Sequence, residues 1–371
     1  MTSISKNNLD TIKACRYCPM CRQSCPSEFI SYRESDTPRG RAMLLQSVYV
    51  AEREYDKATI EAVYNCFVCG SCKSWCAGFD VGGYNIPELI KFARKDIVQR
   101  GMALEVVESI KNSLLENGNP HHIKKSASFS QTIEEKKANV IYFMGPEINF
   151  RNPEIAKAVI KIFDHLKISF TLLKNEPSSG KILELLGYHD EALAKAGQLH
   201  ERIISSGCKT VVVSDPLAYD AFKNDYPEWG FKFDPDVKIV HLTEYLADFI
   251  KSGSLKLAET NVIITLADSE FLGRFNNVFE APREIIKSSA GKNFVELRWN
   301  HEKLLSTGEA AFTFNDQVFT QGATLGEKIR VLVKDIPAKR IVTLSATAKN
   351  NIGNPSDVEA IDIAEFIAEL I

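Results

Sequence analysis

Residues 15–26 read CRYCPMCRQSCP and residues 66–77 read CFVCGSCKSWCA. Both carry the spacing CxxCxxCxxxC, through Cys15, Cys18, Cys21 and Cys25 in the first run and Cys66, Cys69, Cys72 and Cys76 in the second. Eight of the nine cysteines fall in these runs, so sulfur in this chain is concentrated for ligation. Four thiolates within so few residues suit a compact cofactor bound only by cysteine, and the spacing is that of bacterial [4Fe-4S] sites. Structural zinc is the competing reading, with disulfides behind it. Zinc sites usually join two separated CxxC pairs or include histidine, and do not need a third and fourth cysteine in one short run. The repetition of the run favours two iron-sulfur clusters.

In two-cluster proteins with this spacing the fourth cysteine of each run ligates the other cluster. Carried onto this chain, Cys15, Cys18, Cys21 and Cys76 hold one cluster, and Cys66, Cys69, Cys72 and Cys25 hold the other. Such an exchange ties the segments together and sets the clusters near enough for electron transfer. Pro26 after Cys25 fits the motif, whereas Ala77 after Cys76 departs from it without disturbing the ligand spacing. Arg16, Arg22, Arg39, Arg41 and Lys73 lie around the runs, and Tyr17, Phe67 and Trp75 within them. Nearby positive charge favours a reduced cluster and apolar cover limits solvent, although surface charge and packing explain these residues equally well.

A length of 371 residues allows two or three domains with their own cores. The net charge of -3 gives no reason to expect nucleic acid, and 44% hydrophobic with 25% charged residues is an ordinary soluble composition. No apolar stretch is long enough to span a bilayer and the N-terminus lacks the apolar core of a secretory signal. The expected location is the cytoplasm, with peripheral membrane association through a partner left open; reduced thiolates agree with that compartment.

Between the runs the sequence reads as helix. Thr37 is a plausible N-cap and Pro38 a first helical residue, followed by apolar Met43, Leu44, Leu45, Val48 and Tyr49. After the second run, NIPELIKFARKDIVQRGM predicts another helix, with Pro87 near its start and Gly101 past its end. The organisation read from the sequence is a helical domain over 1–116, a linker over 117–137, and two related α/β units over 138–257 and 258–371. His121 and His122 in the linker are read as a solvated loop rather than a metal pair. The two units align by fragments: ANVIYFMGP with TNVIITLADSE, NPEIAKAVIKIF with EAPREIIKSSA, ISFTLL with NFVELR, and KTVVVSDPLAYDAF with KRIVTLSATAKNNI. This internal duplication predicts parallel strands alternating with helices about a pseudo-twofold, with ligand-facing loops at the strand ends.

With its TPRGRAML segment between the cysteine runs, the chain resembles the iron-sulfur subunits of glycolate oxidase, of anaerobic glycerol-3-phosphate dehydrogenase and of heterodisulfide reductase. The resemblance implies a C-terminal region built from two CCG motifs whose cysteines, in heterodisulfide reductases, hold noncubane clusters. Here the matching positions are Pro146, Ser178, Ser179, Gly180, Asp215, Pro216 and Ala218 in one unit, and Glu270, Ser306, Thr307, Gly308, Ser345 and Ala348 in the other. Every sulfur is replaced. Hydroxyls are poor iron ligands at neutral pH, so no noncubane cluster is expected. Asp215 and Glu270 are read as caps of the helices that follow them rather than as metal ligands, and Cys208 as a small buried residue.

The resemblance implies a non-catalytic subunit relaying single electrons through two [4Fe-4S] clusters. The donor would be an FAD-linked flavoprotein dehydrogenase and the acceptor another redox carrier or a membrane quinone system. FAD would reside only on the partner, and the duplicated region would fold without iron and serve as a docking scaffold. The alternative, a catalytic subunit like heterodisulfide reductase, is disfavoured by the loss of both cysteine sets.

Overall fold

The computed structural model describes residues 6–15, 17–76, 78, 85–314, 317–318, 321–354 and 357–371. Arg16 and Ala77, singled out above, lie outside the described residues. The architecture is helix-rich, with small parallel sheets confined to the C-terminal two thirds.

The N-terminal region is helical as expected, with its principal helices at Pro38–Tyr49, Lys57–Tyr64, Ile86–Gln99 and Glu105–Asn117. Thr37 caps the first of these by accepting from Gly40 N at 2.9 Å, and Pro38 opens it. The buried face differs from the apolar series in the sequence: Arg41, Ala42 and Leu45 are inside while Met43 is about half exposed. The difference has a physical cause. Arg41 Nε donates to Ala62 O at 2.6 Å and Nη1 to Asp36 O at 2.5 Å, so the charge goes inward against carbonyls and Asp36.

The first α/β unit forms a four-stranded parallel sheet, β1 (Val140–Phe143), β2 (Phe170–Leu172), β3 (Thr210–Val213) and β4 (Lys238–His241), in the order β2-β1-β3-β4. Buried β-branched and aromatic residues on both faces make β1 and β3 the interior of helix-covered layers, while β4 is an edge strand with only His241 buried. The second unit has β5 (Ile264–Ala267), a short antiparallel hairpin β6 (Thr313–Phe314) and β7 (Gln317–Val318), then β8 (Arg340–Thr343) and β9 (Glu359–Asp362), with parallel order β5-β8-β9. The NFVELR segment, expected as a strand, contributes only a parallel bridge from Phe294 to Ile264.

One apolar core joins the two sheets, and the Pro153–His165 helix packs on Ile363–Glu369. A second core joins the cysteine domain to both units through Ile182, Leu183, Leu185, Leu186, Phe271, Ala310 and Phe312. The segment read as a linker is ordered against the body. His121 Nε2 meets the Glu147 carboxylate and Asn119 bonds Ile123 O at 2.7 Å, so His121 is not a solvated loop residue.

Candidate iron-sulfur site

The two cysteine runs fold locally alike. Tyr17 and Val68, each two residues after the first cysteine of its run, have φ of 52° and 50°. Each donates its backbone N–H to the preceding Sγ at 3.4 Å, Tyr17 to Cys15 and Val68 to Cys66. A left-handed backbone is costly for a β-branched valine, so the thiol-directed amide is held by the surrounding structure rather than by local preference.

Cys25, Cys66, Cys69 and Cys72 line one cavity, together with Arg41, Phe67 and Val68. The fourth cysteine of the first run is thus brought to the first three of the second. On the other side, a Cβ placed on Gly78 would lie 3.5 Å from Cys76 Sγ and 3.7 Å from Ala14 O, which sets Cys76 beside the start of the first run. None of the nine cysteines is tied up in a disulfide. Among the described residues no three His, Cys, Asp or Glu side chains converge on a point suited to a single ion. Four thiols around a shared space are the donor set of a multi-atom cluster, and they fit a [4Fe-4S] group.

The surroundings of the two sets differ. In the first set Cys18 is exposed, Cys15 and Cys76 are half-buried and Cys21 is buried, whereas in the second Cys25, Cys69 and Cys72 are buried and Cys66 is half-buried. Burial pushes the Cys69 thiol up to about 12 and Cys72 well above its usual range, with neighbouring cysteines adding to the rise at Cys72. Burial also raises Cys25, against the pull of Arg41. Metal cations inside the cavity would supply the charge that lets these sulfurs ionise.

Arg41 Nη1 lies 3.9 Å from Cys25 Sγ. Two further arginines, to which the sequence gives no pointer, close around the same loop. Arg94 is buried and donates to Cys66 O, to Val63 O and Tyr64 O at 3.2 Å, and to Leu185 O at 2.5 Å. Arg274 reaches from the second unit to Cys69 O at 3.0 Å, while Phe275 packs over Gly70. Trp75 meets Trp299 edge to face at 5.9 Å. Arg39 serves the first run in the same way, donating from Nη1 to Tyr17 O at 3.0 Å while its Nε pairs with Glu34, and Arg22 forms a partly exposed pair with Glu28. Proximity in sequence singles out Arg39 and Arg41, which do reach the cysteine loops, whereas Arg94 and Arg274 reach the site through contacts distant in sequence.

At the replaced CCG positions, Asp215 caps its helix by accepting from Leu217 N at 3.0 Å, as read from the sequence. Glu270 does not cap. Ser269 takes that role, accepting from Leu272 N at 3.2 Å. Glu270 instead accepts from Ser306 Oγ at 2.7 Å, Thr307 Oγ1 at 2.8 Å, Thr307 N at 3.1 Å, and Gly308 N and Glu309 N at 3.2 Å. A carboxylate thus gathers the two hydroxyls and three amides of the loop. Ser345 caps by accepting from Ala348 N at 3.4 Å, and Cys208 is buried against Ile203 O, as expected of a small core residue.

Residues 14–78 match the family model for a 4Fe-4S dicluster domain. The chain is 29% identical over 279 residues to a probable iron-sulfur-binding oxidoreductase, FadF, of Bacillus subtilis, covering 68% of this chain and 38% of that protein. It therefore spans well under half of that relative. It is 26% identical over 325 residues to a component of the dihydromethanophenazine:CoB–CoM heterodisulfide reductase of Methanosarcina acetivorans, covering 80% of this chain and 78% of the relative. A hypothetical protein from Helicobacter pylori shares the fold, with a TM-score of 0.58 at 10% identity over 99% of this chain and 73% of its own. The chain resembles iron-sulfur subunits of oxidoreductases and carries a 4Fe-4S dicluster domain. No helix among the described residues is long and apolar enough to cross a membrane.

Proposed function

We propose that this chain is an electron-transfer subunit that relays single electrons through two [4Fe-4S] clusters, between a flavoprotein dehydrogenase and another redox carrier. The observation that carries the reading is the cavity shared by Cys25 with Cys66, Cys69 and Cys72. It supports exchanged ligation, and with it two clusters close enough to pass electrons. When bound, the clusters supply one-electron redox chemistry. The chain's own residues hold them, shield the inner one, and direct arginines at its loop. The more exposed set, at Cys18 beside the exposed Met20, is the side on which a partner's redox group would approach.

The two α/β units are read as copies of one another, since β2-β1-β3-β4 and Phe294-β5-β8-β9 follow the same spatial order. Their role is to cover the inner cluster and to present a docking surface. The hydroxyl, carboxylate and alanine positions that replace the CCG cysteines support a region without a noncubane cluster and weigh against a disulfide reductase. Anaerobically purified protein should contain about eight iron atoms, as two four-iron clusters require. About four iron, or stoichiometric zinc, would remove the reading. Capture of the partner from its native host, followed by flavin analysis, tests the flavoprotein.

A further inference from the structure

Between the two α/β units lies a cavity of about 210 Å³, bordered by Glu147, Arg151, Asp215, Glu309, Asn350 and Asn351. Its size allows several water molecules, each taking about 30 Å³. Glu309 is only 2% exposed. Its Oε2 accepts from Ser269 Oγ at 2.9 Å and from Phe271 N at 3.2 Å, while Oε1 is buried without a partner. A buried carboxyl oxygen left in this state needs a proton or a donor. Arg151, the one basic group at the cavity among the described residues, is engaged by Glu147 at 3.2 Å. The charged groups facing Glu309 are Glu270 from the helix that starts there and Asp215 across the cavity; Asp215 is faced in turn by the Glu147–Arg151 pair, with His121 on Glu147, and by the buried Glu176, which accepts from Gly145 N at 2.8 Å beside it.

This acid group adjoins the buried cysteine set. The residues directly after Glu309 pack on it: Ala310 and Phe312 share a core with Cys72, and Ala311 shares one with Phe67. The negative charge of Glu270 is felt at both Cys69 and Glu309. An electron added to the buried cluster would therefore raise the negative potential at the cavity across the packed residues between them, where charges interact more strongly than in water.

We infer that Asp215 and Glu309 form a proton-binding site that takes up a proton when the buried cluster is reduced. The inference rests on the two-cluster reading. In the balanced step one electron arrives from a one-electron donor, such as a flavin semiquinone or dithionite radical, and one proton passes from solvent through the cavity to a carboxylate oxygen. The new bond is O–H, and no covalent bond of the protein breaks. Burial and the charge of Glu147 push Asp215 up to about 7, and burial and Glu270 raise Glu309 well above its usual range, in keeping with the unpartnered Oε1. As interacting groups they titrate as a pair.

The test uses the full chain with its clusters assembled. Iron, sulfide and the spectrum of the reduced protein first show whether both clusters are present, so failure of the two-cluster reading is detected separately. The reduction potential of the buried cluster is then followed from about pH 6 to pH 8, with proton uptake on dithionite reduction read by an indicator dye. In the wild type the potential should fall as pH rises, with a proton taken up. Glu309→Gln and Asp215→Asn should each weaken the dependence, and the double variant should abolish both effects. A pH-independent wild-type potential, or a double variant with the wild-type slope, overturns the proposal. Should the double variant not fold, Asp215→Asn decides alone, since asparagine can still cap Leu217 and an unchanged slope refutes the coupling.

Discussion

The two cysteine runs share a spacing and a local turn, yet one set opens to solvent at Cys18 while the other lies beside Arg41, Arg94 and Arg274, with Phe275 packed over Gly70. Ligand chemistry is common to both; the degree of burial and the number of arginines at the loop are not, with Arg39 alone among the described arginines reaching the loop of the first set. The potential of an iron-sulfur cluster depends on these surroundings as well as on its type. The contrast suggests a division of labour, with an outer set that meets partners and an inner set insulated by the rest of the chain.

The largest expected effect breaks the contrast outright. Cys72→Ala should lose the inner cluster and destabilise the core that joins all three regions, whereas Cys18→Ala should lose the outer cluster with the fold retained. Iron content and thermal melting of the two variants check this, and equal losses of stability would show that the inner set is not the structural one. The exchange itself is tested by Cys25→Ala and Cys76→Ala, which should damage the inner and outer clusters respectively.

Next in size is Arg41→Met. It leaves Asp36 buried beside an apolar side chain, and breaking a buried pair typically costs about 3–5 kcal/mol. Denaturant unfolding measures the loss, and the spectroscopic change should be confined to the inner cluster. A change confined to the outer cluster would contradict the placement of Arg41 at Cys25.

A smaller effect concerns the α/β units. Burial raises Asp215 to about 7, so the folded protein holds a proton that the unfolded chain has released above its ordinary carboxylate range. The folded state binds more protons there, and stability from this group falls as pH rises from about 4 through about 7. Asp215→Asn should therefore gain on wild type progressively as pH rises, the difference between pH 5 and pH 8 being on the order of 2–3 kcal/mol. His241, lowered to about 3 by burial, works in the opposite sense between about 3 and 6.5, and its effect cancels when variant and wild type are compared at the same pH. The smallest effect is at the outer set: Arg22→Ala removes partly exposed pairs with Glu28 and Glu34 and should cost less than about 1 kcal/mol.

What is legible in the sequence is local. The cysteine spacing, the Thr37–Pro38 helix start, the parallel strands and the Asp215 cap all depend on residues within a few positions of each other. What escapes a sequence reading depends on distant partners. Arg94 lies in an amphipathic helix and gives no sign that it will bond Leu185 O, and Arg274 is separated from Cys69 by most of the chain. Glu270 misleads because an acidic residue at a helix start is ordinarily a cap; Ser269 already fills that place, freeing the carboxylate for Ser306 and Thr307. The strand expected at NFVELR shrinks to a bridge because a single parallel contact with Ile264 is made there.

The cover over the inner cavity also sets an order of events during synthesis. The cavity draws Cys25 together with Cys66, Cys69 and Cys72, so its thiols are complete only after the second run has been made. Phe275, Ala310 and Ala311, which close over that run, emerge from the ribosome much later. Since domains generally fold as they are synthesised, there is an interval in which the inner thiols are assembled yet still uncovered. That interval is when the cell's iron-delivery machinery has open access, and a chain released without its metal would have to reopen its own C-terminal region to be repaired.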